Sequence, residues 1–255
     1  MKYDYKIIEE KLVEFLKNET KRIGIQKAVI GLSGGIDSAV SAYLTVKALG
    51  KENVSFVLMP YKTSSKESVI DAQSVVNELG VRSKIIEITD MVDSFIGKLG
   101  GKEMSGIRKG NIMARVRMIV LYDESAGENA LVIGTGNKTE ILLGYTTLFG
   151  DSACALNPLG SLYKTQVFDL AKHLGVPKQI INKKPSADLW EGQTDEQEMG
   201  LTYAEVDKYL FHKIDENKSK EELIKLGYKT DYIDKVDNMI IKNRFKSLPP
   251  IIAKL

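Results

Sequence analysis

The chain has 255 residues, 43% hydrophobic, with 36 Lys and Arg against 34 Asp and Glu. That composition supplies one sizeable α/β core, and a net charge of +2 gives no general reason to expect a nucleic-acid or membrane partner. The single cysteine, Cys154, excludes a disulfide framework and any multi-cysteine zinc or iron-sulfur site, and fits a reducing compartment.

The opening segment, MKYDYKIIEEKLVEFLK, places Ile7, Ile8, Leu12, Phe15 and Leu16 at helical spacing. It predicts an amphipathic helix and lacks the apolar stretch of a signal peptide. No later apolar run nears the ~20 residues of a membrane span, so a cytoplasmic location is expected. KAVIGL, NVSFVLM, RSKIIEI and NALVIG then read as strands, each followed by a longer amphipathic stretch. Such alternation predicts a doubly wound parallel sheet, its continuous apolar strands covered by helices on both faces. After Gly144 the segment GYTTLFGDSACALNPLGSLYK shows neither period and reads as an active-site loop. A second irregular stretch, KKPSADLWEGQTDEQEMG, reads as a lid. From Thr202 the pattern is helical again, which predicts a C-terminal helical subregion within one domain spanning 1–255.

The first strand ends at Gly31-Leu32 and enters a helix through Ser33-Gly34-Gly35-Ile36-Asp37-Ser38. Backbone N–H groups and the positive end of the helix dipole converge there, which suits an anion. Two glycines let phosphate oxygens approach, and the two serines add donors. Asp37 makes sense beside a phosphate if a divalent cation lies between them, so it is a candidate Mg²⁺ ligand, with helix capping as the plain alternative. This is no Walker loop, which closes on Gly-Lys-Ser or Gly-Lys-Thr. GTGNKTE, after the strand ALVIG, puts Thr135 at a strand's C-terminal edge, where open α/β sheets bind ligands. It places Glu140 early on the next helix, either as a second Mg²⁺ ligand or as a surface acid. The same segment imitates a dinucleotide fingerprint, but Thr139 stands at the third glycine position, which disfavours a dehydrogenase.

Ser-Gly-Gly-x-Asp-Ser at the end of the first strand resembles the pyrophosphate loop of the N-type ATP pyrophosphatases. NIMARVRM, GTGNKTE, FGD, NPLGSLYKTQV and PSADLWEGQTDEQEMGLTYAEVD follow in order. Together they closely resemble the NAD synthetases, in their short ammonia-dependent form without a glutaminase domain. The resemblance implies an adenine nucleotide alpha hydrolase-like fold and amidation of deamido-NAD at the expense of ATP, with Mg²⁺. It implies that residues 31–38, Thr135, Lys164 and Ser186 hold ATP, that Lys164 stabilises charge during adenylation, and that Asp151 lies near the ammonia site. Arg115, Leu148, Ala155, Phe245 and Lys246 align with positions that contact deamido-NAD. Leu148 and Ala155 stand where many relatives have Lys and Asp, and Phe245 where they have His. Arg117 could equally be a salt-bridged helix residue. The resemblance further implies a homodimer, with ammonia taken free or from a separate glutaminase.

Two rivals stay open at this level. A tRNA-modifying ligase or thiolase would recruit the basic positions from Lys98 to Arg117 for RNA, though such thiolases usually bring several cysteines. A nucleotide sensor would bind ATP without turning it over. His173, His212 and Cys154 read as packing or surface residues, and Trp190 as either a lid cover or a packing residue.

Overall fold

The computed structural model describes residues 3–100, 104–186, 194–250 and 252–253. The opening helix is α1 (Tyr5–Ile23), started by the Asp4 carboxylate, which accepts the Lys6 and Ile7 N–H groups. Then come β1 (Lys27–Gly31), α2 (Ile36–Leu49), β2 (Val54–Leu58), α3 (Lys66–Leu79) and β3 (Arg82–Ile85). They are followed by α4 (Thr89–Lys98), α5 (Gly106–Glu128) and β4 (Ala130–Val132). All four expected strands form. RSKIIEI contributes only its first four residues, because β3 is an edge strand with every residue exposed.

The strands are parallel in the order β3-β2-β1-β4. Alternation along each strand divides the interior into two faces. Ala28, Ile30, Val54, Phe56, Leu58 and Leu131 join the core beneath α1, α2 and α3, whereas Val29, Val57 and Val132 join the core beneath α4 and α5. Fully burying each of the Val, Leu, Ile and Phe side chains contributes about 1.5–3 kcal/mol. This double coverage is what the near-continuous apolar strands require. Chain order proceeds outward from β1 on one side to β3 and then crosses back to β4. The seam between β1 and β4 is therefore the topological switch point, where open α/β sheets hold ligands beyond the strands' carboxyl ends.

Beyond the sheet lie α6 (Lys138–Leu143), α7 (Lys164–Leu174), α8 (Lys178–Asn182), α9 (Asp195–Met199) and α10 (Tyr203–Leu210). The chain continues through α11 (Lys220–Lys225) and α12 (Thr230–Asn243). The expected helical subregion has its own core, in which Leu143 and Tyr163 meet Tyr203, Val206, Tyr209, Leu223, Ile233 and Val236. α12 docks on the end of α6: Asn243 Nδ2 donates to the Leu143 carbonyl at 3.0 Å, and a Cβ on Gly144 would lie 2.1 Å from Asn243 Cβ. The irregular stretch after Gly144 is held to the sheet by a parallel bridge between Ile133 and Leu156.

Candidate active site

The turn from β1 into α2 is locked by its own side chains. Ser33 N–H donates to Ser38 Oγ at 3.3 Å, Gly35 N–H donates to Ser33 Oγ at 3.2 Å, and the Ser38 hydroxyl donates to the Gly35 carbonyl at 2.9 Å. Gly35 stands at the N-cap of α2 with no side-chain cap bond. The orphan N–H groups of the first turn are thus left for a ligand. Gly34 has φ +76°, and a Cβ there would lie 2.1 Å from the Ser68 carbonyl oxygen. The loop therefore rests directly on the start of α3, an approach open only to glycine.

Asp37, Glu140 and Lys164 meet at the β1/β4 seam. Lys164 Nζ donates to Asp37 Oδ2 at 2.6 Å and to Glu140 Oε1 at 3.2 Å, with 3% of its side chain exposed. Asn137 Nδ2 donates to Asp37 Oδ1 at 2.9 Å. Asn137 also caps α6 in a capping box with Glu140, which fixes that carboxylate at the helix start. Burial pushes Glu140 up to about 7; Lys164 pulls the other way and Asp37 adds to the rise. Burial alone would lower the Lys164 ammonium, but Asp37 and Glu140 outweigh it and hold the group above its ordinary value.

The surrounding polar shell was not legible as site residues in the sequence. Asp207 of α10 accepts the Thr139 hydroxyl at 2.6 Å and the Thr165 N–H at 2.8 Å, while Thr139 Oγ1 accepts the Lys164 N–H at 3.0 Å. Asp195 accepts the Tyr203 hydroxyl at 3.0 Å and the Tyr145 hydroxyl at 3.2 Å. Lys164 Nζ lies 5.1 Å from the Tyr203 ring centroid, a cation–π distance. Burial raises the Asp195 and Asp207 carboxyls, against the opposing charge of Lys164 and the bonds they accept. The acids followed by helical runs at 195 and 207 resemble ordinary helix acids, and only their burial separates them from that background.

A cavity of about 520 Å³ opens over this cluster. Gly31, Leu32, Ser33, Gly35, Ile36, Ser38, Thr135, Asp151, Ser186 and Lys246 line it along with Asp37, Glu140 and Lys164; Gly34 is packed beneath. Asp151 is fixed by the Thr146 hydroxyl at 2.6 Å and the Thr147 N–H at 2.8 Å. Lys246 Nζ donates to the Gly144 and Thr146 carbonyls at 2.8 and 3.1 Å, tying the C-terminal segment to the same turn. Arg115 is exposed and donates to the Leu148 carbonyl at 3.2 and 3.3 Å. Arg115, Leu148, Ala155 and Phe245 lie outside the lining of this cavity, whereas Arg117 belongs to it and its Nε donates to the Met59 carbonyl at 3.1 Å. Residues 187–193 of the expected lid, including Trp190, fall outside the described residues, and its later part is not irregular but forms α9. Burial raises the Cys154 thiol, which packs against Gly134. His173 pairs with the buried Glu9 and His212 with Glu216.

Among the described residues, no three His, Cys, Asp or Glu side chains gather as a metal cage. Asp37 and Glu140, however, turn oxygens from two elements onto one cationic point. A hard divalent cation bound with phosphates takes one or two carboxylates and completes its shell with phosphate oxygens and water. The donor pair fits that pattern.

Known proteins resemble this chain over nearly all of its length. A family model for NAD synthase matches residues 8–250. An NH(3)-dependent NAD(+) synthetase from Fusobacterium nucleatum is 53% identical over 250 residues, covering 98% of this chain and 96% of that one. Among solved structures, NMN synthetase from Francisella tularensis superposes with a TM-score of 0.89 at 34% identity, covering 100% of both chains. An NH3-dependent NAD synthetase from Campylobacter jejuni gives 0.83 at 38%, covering 99% of this chain and 100% of that one. With the sheet order, the anion loop at its switch point and a match across the sequence, the chain belongs to the NAD synthase family of ligases.

Proposed function

We propose that the chain converts deamido-NAD to NAD, consuming ATP and ammonia and releasing AMP and pyrophosphate through an NAD-adenylate. The observation that supports this reading best is the convergence of Asp37, Glu140 and Lys164 beside the anion-binding turn of residues 33–38. In the first step the nicotinate carboxylate attacks the α-phosphorus of ATP. The N–H groups and serines of 33–38 hold the β- and γ-phosphates, and Lys164 offers its ammonium to the charge that develops during transfer. Asp37 and Glu140 would hold Mg²⁺, which when bound would neutralise phosphate charge. In the second step ammonia attacks the activated carbonyl and AMP leaves. Asp151, held by the 146–147 turn, orients an ammonium ion or accepts the proton shed by attacking ammonia.

A homodimer is part of the proposal. Ile107, Ile119 and Tyr122 of α5 and Met91 and Phe95 of α4 are exposed. α5 buries only Gly110, Met113 and Val120 and carries apolar residues around its circumference. Such a helix calls for cover on its outer side, and Arg115 lies on the same helix, which suits a dinucleotide held near an interface. The lone Cys154 supports a reducing, cytoplasmic setting.

The test is to incubate the protein with deamido-NAD, ATP, Mg²⁺ and either ammonium or glutamine, and to follow NAD with an NAD-specific dehydrogenase. A parallel reaction offers nicotinate mononucleotide, because the Francisella protein is an NMN synthetase. NAD with ammonium is the expected result. AMP release only with the mononucleotide would move the substrate to the smaller acid, and no AMP with either acid would overturn the ligase reading of this cavity.

A further inference from the structure

The turn at 33–38 provides N–H and hydroxyl donors, but its one charged side chain, Asp37, is negative. Polyphosphate brings several negative charges to such a site. The cations lining the cavity are mostly committed. Lys164 is matched by two carboxylates, Lys246 is spent on two carbonyls, and Arg117 Nε on a third.

Lys183 differs. It follows α8, whose Ile180 is buried in the main core, and it lines the cavity together with Ser33, Gly35 and Ser68. Its Nζ donates to Ser68 Oγ and to Asp71 Oδ2, both at 3.0 Å. Ser68 is the residue whose carbonyl touches Gly34, so the Lys183 ammonium is anchored to the support of the anion turn itself. Asp71 is 7% exposed, and a carboxylate so placed is held by its partner. An ammonium has three N–H donors; among the described residues two are used, which leaves one for a ligand. The Lys183 side chain retains 29% exposure, enough for an anion to reach it.

We infer that Lys183, oriented by Asp71 and Ser68, is a further catalytic residue that binds the β- and γ-phosphoryl oxygens of ATP and then the departing pyrophosphate. This rests on the reaction proposed above. As the bond between the α-phosphorus and the bridging oxygen breaks, its electron pair stays on pyrophosphate, and Lys183 meets that added charge. Asp71 is a positioning residue: it holds the ammonium beside the turn while cancelling part of its field.

The probe is magnesium pyrophosphate, read both by calorimetric titration and as a product inhibitor of turnover. Lys183→Met should weaken its binding about tenfold or more, the worth of one charge-assisted hydrogen bond, and lower kcat while leaving the KM for deamido-NAD unchanged. Asp71→Asn should act in the opposite direction, tightening pyrophosphate several-fold, because it unmasks the ammonium. The double variant Asp71→Asn with Lys183→Met strands no buried charge, and it should still show the loss. If Lys183 were only a latch between α8 and α3, both single variants would weaken binding alike, and that result would overturn the assignment. So would an equal loss in Lys184→Met, its exposed neighbour, which also lines the cavity. Failure of the wild type to make NAD would count against the proposed reaction alone, since the titrations read Lys183 without turnover.

Discussion

Removing the Lys164 ammonium by Lys164→Met exposes the cost of the central cluster. The substitution keeps the stem's length and leaves Asp37 Oδ2 and Glu140 Oε1 facing each other without the cation that now lies 2.6 and 3.2 Å from them. Breaking a buried ion pair from one side costs about 3–5 kcal/mol. The two carboxylate side chains keep 17% and 18% exposure, so partial hydration places the cost near the lower limit. At about 2–4 °C per kcal/mol for a chain of this size, ~3 kcal/mol lowers Tm by about 6–12 °C at pH 8. The deficit should shrink at pH 6. Burial already pushes the Glu140 carboxyl up to about 7 against the pull of Lys164, and losing the lysine raises it further, so acid neutralises the stranded charge. Turnover should fall about 10²–10³-fold if the ammonium stabilises the transition state. Thermal melts of wild type and variant at pH 6 and 8 provide the check. An equal or larger deficit at pH 6 would refute the charge reasoning and point to lost packing instead.

Gly34→Ala should cost about 1–2 kcal/mol for the left-handed backbone and more for moving the loop off the Ser68 carbonyl; melts and pyrophosphate titration should both register it. Between the ordinary carboxyl value of 4.5 and about 7, folded Glu140 holds a proton that the unfolded chain has lost. This group's contribution to stability therefore falls as pH rises through that window. A cation must displace the same proton, so apparent Mg²⁺ affinity should rise with pH through about 7, and a flat profile in Glu140→Gln alone would support this origin. Asp207→Ala leaves the Thr139 hydroxyl and the Thr165 N–H without their acceptor, and it should destabilise the chain by about 2–4 kcal/mol; a change below 1 kcal/mol by denaturant titration would contradict its anchoring role.

The sequence made the sheet legible because all four strands are short apolar runs separated by helical patterns. It made the anion turn legible because glycines, serines and an acid at a strand end have few other uses. Bringing Lys164 to Asp37 needed the family resemblance, since 127 positions separate them and no periodicity connects their helices. Asp71, Asp195 and Asp207 were hidden for a different reason. A helical acid is ordinarily solvated, and only the fold shows that these three are 4–7% exposed. The resemblance assigned Arg115, on α5, to deamido-NAD and left Arg117, two positions on, as a possible salt-bridged helix residue. The structure turns Arg117 to the cavity and leaves Arg115 exposed on the Leu148 carbonyl.

The central cluster draws its members from both cores. Asp37 begins α2 over the sheet, Glu140 begins α6 at the exit of β4, and Lys164 begins α7. Tyr203 and Asp207, which bracket Lys164, belong to α10 in the helical core. Each charged group is therefore held by the start of a different helix, and the groups meet only if the two cores are packed in register. Burial is the main reason the Glu140 and Asp195 carboxyls are raised, and the charge of Asp37 adds to both, so three carboxylates near one lysine are held at a cost. The packing of Leu143, Tyr163 and Val206 holds them together. A site strained in this way gains stability from an added cation, so saturating Mg²⁺ with pyrophosphate should raise Tm in the wild type and do so less in Asp37→Asn. An equal rise in both would detach the cation from this cluster and place its binding elsewhere.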